Sequence, residues 1–196
     1  MADEDKQVGF NNLMEEQKRL AAREERLERS IRRADKGRIE EFTPALKRLA
    51  QYQDEFDAAD KKYGLPSGTT MAVAAIESRG REDIITGQTA SPVGAAGIMQ
   101  FMPKTARSMG LEVSDSVDER NDPIAAIDAG AKYMARQLEK SDGDMRVALA
   151  KYNWGSGNWA KWEAGKKEMP DETSNYIGDV MGVRRALAPV GEDWSS

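Results

Sequence analysis

The chain has 196 residues, a mass of 21.7 kDa, a formal net charge of -5 and a mean hydropathy of -0.70. It contains no cysteine and no histidine, which excludes disulfides, thiol nucleophiles, iron–sulfur clusters, a Ser-His-Asp triad and metal sites built on those residues. Acid–base chemistry must therefore fall to Asp, Glu, Lys or Tyr, and we expect no metal or other cofactor and no nucleic-acid partner.

Residues 1–42 are predicted to form a charged helical arm. From Met14 to Glu41, 17 of 28 residues are charged, and Leu13, Leu20 and Leu27 recur every seven positions. This thin apolar seam is too short and too often interrupted by polar residues to indicate a coiled coil. Two interpretations stay open: a solvated or partly disordered helix, or a helix for assembly or delivery that packs against other subunits. In either case we expect removal of residues 1–40 to leave a folded, active domain.

The sequence also bears on membranes and export. The longest uncharged run, Ile84 to Pro103, contains three Gly and two Pro over 20 residues, so it is predicted to be a loop and not a transmembrane segment. The first residues, MADEDKQVGF, lack a basic start and an apolar stretch, so we expect no secretory signal peptide.

Residues 43–188 are predicted to form a mainly α domain, followed by a tail at residues 189–196. An N-cap and proline at Thr43-Pro44 begin an amphipathic helix that Gly64 ends. Further helices are predicted at about residues 69–78, 105–110, 123–141, 144–153 and 172–187, with a long loop from 79 to 103. No stretch shows the alternation that is typical of a strand.

Glu77 is the leading candidate for acid–base chemistry. It follows the small and apolar run MAVAAI, and its helix is predicted to end at Gly80. Apolar neighbours and the negative end of the helix dipole both disfavour a carboxylate, so Glu77 would keep its proton near neutral pH. A general acid that protonates a glycosidic oxygen needs this property. The alternative is an ordinary helix-end glutamate that pairs with Arg79 or Arg81.

Two further segments carry possible ligand-binding groups. The first runs from Ser91 to Pro103 (SPVGAAGIMQFMP), and its glycines allow a ligand to approach the main chain. The second is Tyr152-Asn-Trp-Gly-Ser-Gly157, followed by Trp159 and Trp162. Aromatic faces and an Asn amide suit sugar rings, although the aromatic residues are equally typical of a hydrophobic core.

Together these segments resemble the ordered motifs of soluble lytic transglycosylases. The resemblance rests on Glu77-Ser78, on SPVGAAGIMQFMP, on ALAKYNWG at residues 148–155 and on the Glu172-Thr-x-x-Tyr176 pattern. It extends from about residue 56 to about residue 187 and is closest in kind to the peptidoglycan-cleaving domains in internal virion proteins of tailed phages. The protein is therefore expected to associate with a virion and to act on the bacterial cell wall.

The resemblance implies a lysozyme-like lytic transglycosylase fold and cleavage of the β-1,4 bond between N-acetylmuramic acid and N-acetylglucosamine. It places the catalytic acid on Glu77, which would also accept the proton of the C6 hydroxyl as a 1,6-anhydro ring closes. The positions that match substrate-binding residues of the family are Ser91, Gln100, Met102, Tyr152, Asn153 and Tyr176.

Three departures leave other readings open. Ser91 follows Glu77 by 14 positions, a longer separation than is usual in the family. Lys151 replaces a small residue, so it would meet acidic peptide stems or point to solvent. Asp83 could serve as a second carboxylate and make the enzyme a hydrolase similar to goose-type lysozyme, or it is a solvated loop residue. A third reading is a structural virion protein that binds glycan without catalysis.

The Asp142-Gly-Asp144 segment is predicted to cap the following helix and not to bind calcium.

Overall fold

The computed structural model describes residues 2–33, 35–89 and 91–188, and the predicted tail at residues 189–196 lies outside them. Within these ranges the chain is helical and forms no strand, which confirms the mainly α prediction. The helices are α1 (Ala2–Ser30), α2 (Lys36–Glu40), α3 (Thr43–Leu49), α4 (Gln53–Tyr63), α5 (Thr69–Glu77), α6 (Glu82–Ile85), α7 (Pro103–Met109), α8 (Pro123–Glu139), α9 (Met145–Trp154), α10 (Ser156–Glu163) and α11 (Asp171–Leu187). Short 3₁₀ turns lie at Ala50–Tyr52 and Glu119–Asn121.

The predicted helices agree with the structure to within about two residues at most ends, and side-chain caps define some of them. The N-cap predicted at Thr43 is wrong, because Phe42 takes that position and makes no side-chain capping bond. Asp122 accepts hydrogen bonds from the first amides of α8, and Asp144 does the same for α9, which confirms its predicted capping role. Gly64 ends α4 with a left-handed φ of 67°. The predicted single helix between Thr43 and Gly64 is divided by the 3₁₀ turn, and α6 interrupts the expected long loop.

Helix α5 lies in the middle of the hydrophobic core. Its residues Met71 to Ala75 are all buried, and α5 packs against α3, α4, α8 and α11. A helix that is apolar on every side has this central place. Its N-cap, Gly68, offers no side chain, and instead Asp60 of α4 accepts hydrogen bonds from the amide and hydroxyl of Thr70. These bonds attach the N-terminal end of α5, the helix that ends at Glu77, to α4.

The second half of the arm packs on the rest of the domain. Leu27 is 0% exposed and belongs to the core. Arg26 lies 4.5 Å over the ring of Trp162 and donates a hydrogen bond to its carbonyl oxygen. Arg146 pairs with Glu24 and Glu28 of α1. The description of the whole arm as solvated or partly disordered is therefore wrong for this part, because Leu27 and Arg26 cover apolar surface of the domain. The boundary after residue 42 stays a prediction.

Residues 9–22 of α1 are exposed. Phe10, Leu13, Met14 and Leu20 are 58%, 56%, 38% and 51% exposed. They continue the seam that becomes buried at Leu27. We call these four residues the arm stripe. Across the described residues, no helix combines the length and the apolar character that crossing a membrane requires.

Candidate active site

A cleft of about 150 Å³ opens beside the C-terminal end of α5. It is lined by Glu77, Met99, Gln100, Phe101, Met102, Thr105, Tyr133, Tyr152 and Asn153. These residues come from α5, from the segment before α7, from α7 itself, from α8 and from α9. Four of the six predicted substrate-binding residues thus share one cleft with the predicted catalytic acid.

Glu77 is the one acidic residue among those that line the described cleft. Its Oε1 accepts a hydrogen bond of 2.8 Å from the hydroxyl of Tyr176 on α11. The pKa of Glu77 is raised to about 7, mainly because the carboxyl group is buried. The Tyr176 hydrogen bond opposes this rise, and the charge of Glu172 adds to it. Glu77 consequently holds a proton on a substantial share of molecules at neutral pH, as a general acid must.

The helix-end alternative for Glu77 is not what the structure shows. Arg79 stacks 4.2 Å over the ring of Phe42, and Arg81 pairs with Asp83. Both guanidinium groups therefore have other partners, and Glu77 is held by Tyr176 instead.

Two tyrosines complete the wall around Glu77. Burial raises the pKa of both Tyr152 and Tyr176 well above the usual range, and the charge of Glu77 adds to the effect. Both hydroxyls stay protonated and act as donors. The Tyr152 hydroxyl lies 3.4 Å from the carbonyl oxygen of Met99, and its ring packs 5.0 Å from that of Tyr133. Tyr152 and Tyr176 are therefore neutral groups that shape the cleft.

The segment from Gly94 to Met102 forms one wall and is fastened by a buried arginine. Arg120 donates to the carbonyl oxygens of Gly94 and Phe101 and pairs with Asp118. A Cβ on Gly97 would lie 1.6 Å from the carbonyl oxygen of Arg120, so only glycine allows this approach. Gln100 has a positive φ of 48° and donates from Nε2 to the Gly97 carbonyl oxygen. A strained non-glycine residue at a ligand-binding wall is typical of functional sites.

Of the two predicted residues outside the cleft lining, Tyr176 contacts Glu77. The other is Ser91. Its hydroxyl accepts a 3.3 Å hydrogen bond from the amide of Val93, and its substrate-binding role stays a prediction. Lys151 was expected either to meet acidic peptide stems or to point to solvent. It does not line the cleft, and its ammonium group has protein partners. Its Nζ donates to the carbonyl oxygen of Lys140 and the hydroxyl of Ser141, next to the end of α8.

The sequence did not indicate Met99, Phe101, Thr105 and Tyr133 as cleft residues, and it left two tryptophans open between sugar binding and the core. Trp159 and Trp162 are buried and pack on each other with ring centroids 4.6 Å apart, so they belong to the core and offer no sugar platform. Tyr133 lies in a helix rich in alanine, and its bulk among small neighbours was the one available signal.

Asp83, the candidate second carboxylate, is occupied elsewhere. It accepts hydrogen bonds from Arg81 and Thr89, and these bonds lower its pKa to about 2. A carboxylate this acidic is a weak base, and Asp83 does not line the cleft. The site therefore joins one proton-bearing carboxyl group to a wall of neutral polar and aromatic side chains.

Comparison with known proteins agrees with this geometry. Residues 54–175 match the family described as Transglycosylase SLT domain. This match spans more than half of the chain, and the protein belongs to that family. Its resemblance to soluble lytic transglycosylases is thereby confirmed.

Two of its relatives are phage proteins. The chain is 33% identical to a transglycosylase of Enterobacteria phage PRD1 over 147 residues, covering 71% of this chain and 51% of the relative. It is 32% identical to the peptidoglycan transglycosylase gp16 of Escherichia phage T7 over 144 residues, covering 70% of this chain and 10% of the relative. The chain thus spans about half of the first relative and a tenth of the second, and both agree with the phage resemblance.

Solved structures show the same fold. The 70-kDa soluble lytic transglycosylase of Escherichia coli has a TM-score of 0.57 and 26% identity, with 68% of this chain and 23% of the other covered. A complex of the 70-kDa soluble lytic transglycosylase with bulgecin A has a TM-score of 0.59 and 26% identity, with 75% and 25% covered. The lysozyme-like, mainly α prediction is therefore confirmed.

Proposed function

We propose that this protein is a peptidoglycan lytic transglycosylase that cleaves the β-1,4 bond between N-acetylmuramic acid and N-acetylglucosamine. The observation that supports this most is Glu77, partly buried in a cleft, with its pKa raised to about 7 and Tyr176 donating to its Oε1. The name of the phage T7 relative, a peptidoglycan transglycosylase, and the family match support the same substrate class.

The proposed reaction uses one carboxyl group twice. Glu77 gives its proton to the glycosidic oxygen, and the bond from that oxygen to C1 of N-acetylmuramic acid breaks. The C6 oxygen of the same sugar then bonds to C1, and its hydroxyl proton returns to Glu77. The products are an N-acetylglucosamine end and a 1,6-anhydromuramic end, with no water consumed. A hydroxyl of the substrate itself has a large proximity advantage over water.

The electrostatics of the site favour this reaction over hydrolysis. Hydrolytic glycosidases need a second carboxylate as base or nucleophile. Asp83 is committed to Arg81 and Thr89, and Glu77 is the only Asp or Glu among the residues that line the described cleft. Cleavage by the substrate's own C6 hydroxyl requires no second group.

The product identifies the reaction. Purified sacculi are digested, treated with borohydride and analysed by mass spectrometry, since anhydro ends resist reduction and hydrolytic ends do not. We expect predominantly anhydromuramic ends, unchanged by a chelator, and none with Glu77→Gln. Predominantly reduced ends would identify a hydrolase, and Glu172, whose charge acts on Glu77, would then be the second carboxylate to test by Glu172→Gln.

We also propose that the arm stripe mediates assembly, first of all self-association, and through it association with a virion. Its four apolar side chains are exposed on one helix, and the phage relatives support a virion context. Light scattering on the full chain tests this: a Leu13→Glu/Leu20→Glu variant should have a lower mass than the parent. A parent that is monomeric at high concentration would contradict self-association.

A further inference from the structure

The first turn of α11 places a buried hydroxyl against a cleft residue. Thr173 is 2% exposed, and its Oγ1 donates a 2.9 Å hydrogen bond to Oδ1 of Asn153. Thr173 lies outside the cleft lining, whereas Asn153 belongs to it. The hydroxyl therefore acts on the site through Asn153.

This hydrogen bond determines which end of the Asn153 amide faces the cleft. An asparagine amide has one oxygen acceptor and one NH₂ donor, and rotation by half a turn exchanges them. The hydroxyl of Thr173 binds the oxygen end of the Asn153 amide. In the described part of the chain no hydrogen bond uses Nδ2 of Asn153, and Nδ2 is absent from the buried unpaired atoms. The amide therefore presents N–H donors to whatever occupies the cleft.

We propose that Thr173 is a positioning residue, which fixes the Asn153 amide so that the cleft offers a donor to an oxygen acceptor of the glycan. This inference rests on the proposed function, because the glycan is the occupant. A sugar hydroxyl can face either a donor or an acceptor, whereas an acetamido carbonyl oxygen can only accept. A fixed donor therefore suits the N-acetylated sugars of peptidoglycan, and the reversed amide would oppose their carbonyl oxygen.

Three neighbouring residues of α11 then have different roles. Glu172 raises the pKa of Glu77 by its charge, Tyr176 donates to Glu77, and Thr173 orients Asn153. Residues 172, 173 and 176 are close together on one helical turn. Two of them act on proton transfer, and Thr173 acts on substrate orientation.

The test is a double-mutant cycle on purified glycan strands. Thr173→Val keeps the shape and removes the donor, and it should raise KM about five- to tenfold with kcat nearly unchanged, the effect of one hydrogen bond made in ground and transition states. In an Asn153→Ala background the same change should have no further effect, because Asn153 is the only route by which Thr173 acts. Effects that multiply in the double variant would overturn the proposal.

A second pair of variants guards against misfolding of Thr173→Val. Thr173→Ser and Thr173→Ala lose the same methyl group and differ only in the hydroxyl, so Ser should keep the parent KM and Ala should lose it. Equal KM values for Ser and Ala would refute the positioning role.

The neighbouring hydroxyl supplies a matched control. Ser174 is also 2% exposed, but its Oγ accepts from the amide of Arg32 in the arm. Ser174→Ala should lower the melting temperature and leave KM unchanged. A parent enzyme without anhydro products would defeat the proposed function, whereas an active parent with multiplying effects in the cycle would defeat this inference alone.

Discussion

Replacing Glu77 by Gln is expected to abolish activity and, at the same time, to stabilise the protein at neutral pH. The amide is nearly the same shape but carries no acidic proton, so the loss of general acid catalysis should reduce kcat by at least about 10²–10⁴-fold. The stability gain follows from the pKa. Folding raises the pKa of Glu77 from 4.5 to about 7, which corresponds to about 3 kcal/mol of free energy against the ionised form in the folded state.

The sign of this effect depends on pH. Because the folded state binds the Glu77 proton more tightly than the unfolded state, the contribution of Glu77 to the free energy of unfolding is highest below pH 4.5. It falls as the pH rises towards about 7 and then levels off. Asp60, whose pKa burial raises to about 6, contributes in the same direction, but it is present in both proteins and cancels in their difference. Gln also loses some hydration on burial, so we expect a net gain of about 1–3 kcal/mol above neutral pH.

Thermal unfolding at several pH values measures this. The Glu77→Gln variant should melt about 3–10 °C higher than the parent near pH 8, and the two curves should converge near pH 4. Glu82→Gln, the same change at an exposed position, should alter neither stability nor activity. A Glu77→Gln variant that is less stable near pH 8, or equally stabilised at every pH, would refute the assignment of a buried, proton-bearing Glu77.

Further changes test the wall, the proton and the arm. Gly97→Ala should cost about 2–4 kcal/mol of unfolding free energy, because its Cβ would meet the Arg120 carbonyl oxygen at 1.6 Å; Gly94→Ala, with open space around it, should cost about 1 kcal/mol of backbone strain, and equal losses would contradict the close approach. The activity of the parent should decrease as the pH rises through about 7. Tyr176→Phe should weaken activity and shift this decrease to higher pH, because it removes the hydrogen bond that lowers the pKa of Glu77. A shift of the decrease to lower pH would contradict this. Removing residues 2–20 should leave the melting temperature unchanged, whereas removing residues 2–40 should lower it by uncovering the surface under Leu27 and Arg26; equal melting temperatures would restore the arm to the independent element that the sequence suggested.

Local signals account for most of what the sequence predicted correctly. Asp144 caps a helix through its own neighbours, and Gly64 ends one by its own backbone angle. Glu77 was found for a similar reason, since the apolar run before it predicts burial and a raised pKa. The ordered motifs then indicated which distant segments meet Glu77.

Long-range packing explains the rest. Trp162 is buried partly by Arg26, 136 positions earlier in the chain, and no pattern near either residue indicates that contact. Tyr133 enters the cleft where α8 packs against α9, with its ring 5.0 Å from that of Tyr152, and hydrophobic spacing does not define that contact. The side-chain partners of Asp83 likewise depend on how one loop folds back on itself.

The first turn of α11 is shared by the arm and the cleft. Arg32, just after α1, donates its amide to Ser174 and pairs with Asp171, while Thr173 and Tyr176 hold Asn153 and Glu77. The two sets of contacts use different side chains, since Ser174 and Asp171 meet the arm and Thr173 and Tyr176 meet the site. An arm that leaves the domain therefore takes two polar contacts from this end of α11 without removing the hydrogen bonds that hold Asn153 and Glu77.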